Sequence, residues 1–162
     1  MTYKTMLASA GVLAIAALLA GPADAAHRHA AHAKRPMTPL QIVDTFDDMI
    51  TSHHAPEAIT RFIAPGFIEH DPIVPVDGRD GLLKYMHDHG WDKPGPSDMK
   101  DIIDREMADG PLVMVHHHII RHAGERPEVY VDLFLIKNGL IQEHWDVMQQ
   151  VPEHSDNKHT MY

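Results

Sequence analysis

From Met99 onward the hydrophobic pattern runs with a period of two and is cut by three tight-turn signals. No other feature of the chain constrains the fold as strongly. The turns are Ala108-Asp109-Gly110, Ala123-Gly124-Glu125 and Lys137-Asn138-Gly139, and they delimit expected strands at residues 100–107, 112–121, 129–136 and 140–149. Connections this short join only antiparallel neighbours, so the pattern predicts a meander.

Ahead of the strands the period changes to that of helices. Thr38-Pro39 places a hydroxyl cap before a proline, and Leu40, Val43, Phe46 and Ile50 follow at helical spacing. A second short helix is expected at residues 56–63, ended by Ala64-Pro65-Gly66. A strand-like piece at residues 67–70 leads into a proline-broken loop, a third helix at about 80–89 carrying Leu82, Leu83 and Met86, and a loop around Trp91. Helices followed by a bent antiparallel sheet give an α+β order in which the helices cover one sheet face and a pocket forms between them.

The N-terminus reads as a processing segment. Lys4, an apolar run at residues 6–20, and Gly21-Pro22-Ala23-Asp24-Ala25 form a signal peptide over residues 1–25, with cleavage after Ala25 and an apolar run too short for a comfortable bilayer span. The expected product is periplasmic or secreted, with no stable membrane anchor after cleavage. Residues 26–36 hold no large apolar side chain and read as a flexible tether; His27, His29 and His32 there could capture copper or nickel weakly. One domain is expected over residues 37–162. A formal charge of −9 without a basic stripe argues against a nucleic-acid partner. With no cysteine, stability in an oxidising compartment has to come from packing. Fifteen histidines are the compositional oddity.

Several segments carry a family likeness. They are Phe67-Ile68-Glu69-His70-Asp71-Pro72, Asp77-Gly78-Arg79, the stretch from Ala108 to His116, Val131-Asp132-Leu133-Phe134, and the stretch from Asn138 to Gln149 with Gly139-Leu140-Ile141-Gln142-Glu143-His144-Trp145-Asp146-Val147 at its centre. In this order they resemble SnoaL-like proteins of the nuclear-transport-factor-2-like superfamily, and the last is the specific one. The resemblance implies an α+β cone whose curved sheet encloses a deep pocket, as in polyketide cyclases, ketosteroid isomerases and limonene epoxide hydrolases. It does not imply one reaction, because this scaffold hosts unrelated chemistries. Two departures, Glu69 and Asp71 in the first motif and the triplet His116-His117-His118, add titratable groups near the expected pocket.

Strand alternation narrows the candidates. Tyr130, Asp132 and Phe134 share a face, with the apolar set Val131, Leu133 and Leu135 opposite and expected to pack on the helices. On the last strand His144 and Asp146 share a face, and the likeness to epoxide hydrolases puts Asp146 inside. His116 and His118 form one side of the triplet, and His70 is expected at the pocket wall. A carboxylate in an apolar cavity with a neighbouring imidazole suits proton abstraction next to a carbonyl. Asp146 is then the base, with Asp132 beside it and His70, His116 or His118 as oxyanion partners; Tyr130, Phe134, His144, Trp145 and Trp91 complete the ligand pocket. These polar groups could instead satisfy one another in a wet pocket.

Three functions stay open on sequence alone. The first is a cofactor-free cyclase, isomerase or hydrolase-type enzyme, and the second is a non-catalytic binder of a small organic ligand. The third is a metal-binding envelope protein with zinc or copper on His70, His116 and His118. The exposed sheet face leads to the expectation of a homodimer.

Overall fold

Thr38 caps the first helix in both directions. Its hydroxyl accepts from the Gln41 backbone N–H at 3.2 Å, and the Gln41 side chain accepts from the Thr38 N–H at 3.0 Å. The computed structural model describes residues 35–93 and 98–162, so the expected leader and nearly all of the tether lie outside the described residues. Helix α1 (Pro39–Thr51) buries Ile42, Val43 and Phe46, and helix α2 (Ala55–Phe62) buries Ala55, Ala58, Ile59 and Phe62. Strand β1 (Ile63–Glu69) follows without a break, and helix α3 (Arg79–Asp88) begins after Gly78. Gly78 has φ +77°, and a Cβ there would meet the Pro65 carbonyl at 3.2 Å, so this position is closed to other residues at little strain.

Four strands form the expected meander: β2 (Lys100–Asp109), β3 (Leu112–Ile120), β4 (Glu128–Lys137) and β5 (Leu140–Gln150). The β4–β5 turn takes its shape from Asn138 (φ 54°) and Gly139 (φ 75°), two successive positive φ values that suit the right-handed twist of a hairpin. The sheet order is β1-β5-β4-β3-β2, with every pair antiparallel except β1 with β5.

That parallel fifth strand corrects the four-stranded expectation. Ala64-Pro65-Gly66 reads as a helix stop followed by a turn, yet the chain stays extended through it. Pro65 is tolerated because β1 is an edge strand whose register slips between Ile63 and Ile68, where a missing N–H costs no ladder bond.

One core holds the helices to the concave sheet face. Phe46 meets Phe62 and Phe134 edge-on, with ring centroids 6.5 and 6.4 Å apart, and Val43, Ile59, Val113 and Ile141 are fully buried around them. Val113, Val115, Phe134 and Ile136 therefore face inward. The set Val131, Leu133 and Leu135 points outward, contrary to the expectation that it packs on the helices, and Leu133 is 39% exposed. Helices and pocket share the concave face, so the residues that carry the core also set which polar residues look into the pocket. Among the described residues, no helix is long and apolar enough to cross a membrane.

Candidate functional site

Where the helices diverge from the sheet they leave a cavity of about 700 Å³. Its walls are largely apolar and aromatic, with Phe46, Tyr85, Trp91, Tyr130 and Phe134 among them. Strand parity puts the polar groups on its floor. Phe134 faces in, so Asp132 and Tyr130 do as well; a bulge at Gln142 lets Ile141, His144 and Asp146 all face in. On β3, the buried Val113 and Val115 make His117 the inward residue of the triplet.

The floor is a chain of alternating carboxylates and imidazoles contributed by all five strands. His117 Nδ1 donates to Asp101 Oδ1 at 2.6 Å. Its Nε2 lies 2.8 Å from Asp132 Oδ2, an ion-pair distance without the alignment of a hydrogen bond. Asp132 Oδ1 is 3.6 Å from His144 Nε2, and His144 Nδ1 donates to Glu69 Oε1 at 2.9 Å. The His144 ring stacks on Phe134 at 4.8 Å, which fixes its plane.

Charge follows from these contacts. Burial works against a charged imidazole, but the carboxylates of Asp101 and Asp132 outweigh it and push His117 up to about 10. Asp132 and Glu69 do the same for His144, also to about 10. Burial pushes the Asp132 carboxyl up, and the two imidazoliums outweigh it and hold Asp132 below the ordinary range. Both rings are thus cations at neutral pH, bracketed by three carboxylates. An imidazolium already charged cannot be a general base.

Four further carboxyls line the cavity outside this chain, Asp47, Asp48, Asp71 and Asp146, and the first and last of them are pushed up in pKa. Asp146 is directly opposite Asp132 across the β4–β5 ladder and has no hydrogen-bond or ion-pair partner among the described residues. Burial first, and Asp71 next, push its pKa up. Asp47 reaches the cavity from α1, and burial together with Asp132 raises it to about 7.

The sequence-derived candidates divide accordingly. Asp132, Asp146, Tyr130, Phe134, His144 and Trp91 line the cavity. His70, His116, His118 and Trp145 do not, which corrects the expectation of a shared hollow for those histidines. His70 directly follows the end of β1, with its ring stacked on Trp145 at 4.5 Å and its Nε2 3.1 Å from Glu143. His116 accepts from Arg105 Nη1 at 2.8 Å on the outer face, and His118 donates to Asp104 at 2.8 Å beneath the Tyr162 ring. The physical reason is parity: once Val113 and Val115 enter the core, His116 and His118 must point away. The same separation disperses the His70, His116 and His118 metal set, and no cluster of three or more metal-ligating side chains occurs among the described residues.

Sequence reasoning missed His117, Asp101 and Asp47. For His117 the signal was the Val113/Val115 pair two and four residues earlier. For Asp47 it was the helical stripe Val43, Phe46 and Ile50, into which Asp47 falls four residues after Val43.

The elevated histidines have a measurable consequence. Their pKa rises on folding from 6.5 to about 10, so the stabilisation is complete below pH 6.5 and is lost as pH climbs through about 10. Urea denaturation at pH 7, 8.5 and 10 is expected to show midpoints falling over this interval. A midpoint that stays level to pH 10 contradicts the assignment of charge.

An open, strongly curved sheet under helices, with an acid/base cavity on its concave side, defines the nuclear-transport-factor-2-like class of cones. Residues 43–144 match the SnoaL-like domain family, and the chain belongs to that family. Solved structures share the fold. One is a nuclear-transport-factor-2-like protein of unknown function from Cytophaga hutchinsonii, at 19% identity and TM-score 0.56, covering 72% of this chain and 94% of that chain. A second is a candidate ketosteroid isomerase from Kribbella flavida, at 19% identity and TM-score 0.55, covering 72% and 81%. A third is a candidate SnoaL-like polyketide cyclase from Jannaschia sp., at 15% identity and TM-score 0.52, covering 68% and 84%. At such identities the likeness carries the fold alone. No curated protein sequence matches the chain.

Proposed function

We propose that this chain is an exported protein that binds a small organic ligand in its cone and catalyses cofactor-free proton transfer next to a carbonyl, as in an isomerisation or an aldol-type ring closure. One observation carries the reading: an unpartnered carboxyl, Asp146, faces a largely apolar cavity of about 700 Å³. Burial raises the basicity of such a group and removes the water that would otherwise solvate it. Beside it, the imidazoliums of His117 and His144 offset two of the three carboxylates of the floor, which limits the repulsion that a developing enolate would meet there. The names of the Kribbella and Jannaschia proteins point to the same class of carbonyl chemistry.

The test is a panel of β-keto and enone compounds followed by ultraviolet absorbance. Turnover is expected with the wild type and its collapse in Asp146→Asn, which keeps shape and removes basicity. Equal rates in the two proteins overturn the mechanism. Binding without turnover would establish the cone as a non-catalytic receptor instead.

Export and pairing belong to the same proposal. The apolar run at residues 6–20 and the small residues at 23 and 25 support cleavage after Ala25. Mature protein recovered from the cell envelope is expected to begin at Ala26, and an intact leader contradicts this. The outer sheet face exposes Met107, Leu112 and Leu133, which supports a homodimer through that face. Light scattering is expected to give twice the protomer mass, with a strict monomer as the contrary result.

A further inference from the structure

We infer that Asp47 is the proton donor of this site, the partner that hands a proton to the carbonyl oxygen while Asp146 withdraws one from the adjacent carbon. This rests on the proposed carbonyl chemistry and adds the residue that it lacks. His117 Nδ1 and His144 Nδ1 donate to Asp101 and Glu69, His117 Nε2 is buried 2.8 Å from Asp132, and His144 Nε2 lies 3.6 Å from Asp132, so all four ring nitrogens are turned to carboxylates of the floor. The floor supplies charge without a donor.

Asp47 fills that gap by position. It occupies the buried stripe of α1 between Val43 and Ile50, lines the cavity from the helix side, and its carboxyl has no hydrogen-bond partner among the described residues. A carboxylate at such a place is costly. The groups that face it are Asp101 from β2, His117 from β3, Asp132 from β4 and His144 from β5, with Asp44 and Asp48 as neighbours on its own helix. Asp132 presses it toward the neutral form, consistent with a carboxyl still substantially protonated near pH 7. Asp47 from α1 and Asp146 from β5 line the same cavity, one on the helix layer and the other on the sheet.

The step balances. Asp146 takes the proton from the α-carbon, and the C–H electron pair becomes the new carbon–carbon π bond. The carbonyl π pair takes the proton of the Asp47 carboxyl, giving the enol. Asp146 ends protonated and Asp47 ionised, and the reverse transfers at a second carbon restore both.

The probe is 2-tetralone, a neutral fused-ring ketone, with binding followed by fluorescence quenching and its carbonyl stretch by infrared spectroscopy at pH 5.5 and 8.5. In the wild type the stretch is expected to move to lower frequency at pH 5.5, and affinity to drop about tenfold by pH 8.5 as the donor is lost. Asp47→Asn, whose amide still donates, keeps the shifted stretch at both pH values, and Asp47→Ala loses it at both. A pH-independent stretch in the wild type overturns the assignment, as does a wild-type pH profile retained in Asp47→Asn. A second readout needs no ligand. The folded-state pKa of Asp47 is raised, so its ionisation costs stability as pH climbs from 3.8 through about 7. Asp47→Asn is therefore expected to raise Tm at pH 8.5 but not at pH 4, and an equal effect at both contradicts the inference. Asp146→Asn separates the two claims. Lost turnover there, together with a pH-independent carbonyl stretch in the wild type, removes Asp47 and leaves the proposed function standing. Unchanged turnover with the pH-dependent stretch intact does the reverse.

Discussion

Asp132→Ala is expected to destabilise the fold by about 3–5 kcal/mol, the usual consequence of removing one partner from a buried ionic network. Asp132 is the sole carboxylate between two imidazoliums, and its side chain is 14% exposed. Without it, His117 keeps only Asp101 and His144 keeps only Glu69, while the two rings face each other across the vacated space. One or both must then deprotonate or admit water. For a domain of this size the loss corresponds to roughly 10 °C in Tm. Asp132→Asn keeps the volume and a hydrogen-bonding group, so a smaller loss there would separate charge from shape. Differential scanning calorimetry of both variants at pH 7 checks the prediction, and a wild-type Tm in Asp132→Ala would mean that the two rings are not held as cations. The exposed pair Lys84–Asp88 gives the contrast: Asp88→Ala is expected to leave Tm where it was.

Asp146→Asn is expected to cost about 10²–10⁴-fold in kcat, the range that a positioned general base contributes. KM should change little, because the amide fills the same space and most of the cavity wall is apolar. A change confined to KM would instead make Asp146 a binding group. Stability should move the other way from Asp132→Ala. Burial raises the Asp146 pKa, so its charge opposes folding at neutral pH, and the neutral amide relieves that. A variant that is dead yet slightly more stable is the pattern expected where a polar group is held unsatisfied for function.

The strand half of the fold was legible because tight turns and period-two alternation leave an antiparallel meander few alternatives. The clustering of Tyr130, Asp132, Phe134, His144 and Asp146 was legible for the same reason. What alternation cannot supply is which face is inside. On β3 the sequence His116-His117-His118 places histidine on both faces, so the triplet itself says nothing, and only the pair Val113 and Val115 decides the matter by entering the core. The second half of β1 was legible as the strand-like piece at residues 67–70, but residues 63–66 were misread because Pro65-Gly66 carries a strong local turn signal that an edge strand with a slipped register overrides. Asp47 was passed over because Asp47-Asp48 looks like a solvated helix face, and one of the two aspartates is just that.

Proton exchange measures the central claim most directly. In deuterium oxide at neutral pD, wild-type protein is expected to speed the loss of the 2-tetralone α-proton signals in one-dimensional NMR well beyond buffer, and Asp146→Asn to return the rate to near that of buffer. Exchange no faster than buffer with the wild type, or equally fast with Asp146→Asn, would contradict an account in which this carboxyl moves protons inside the cone.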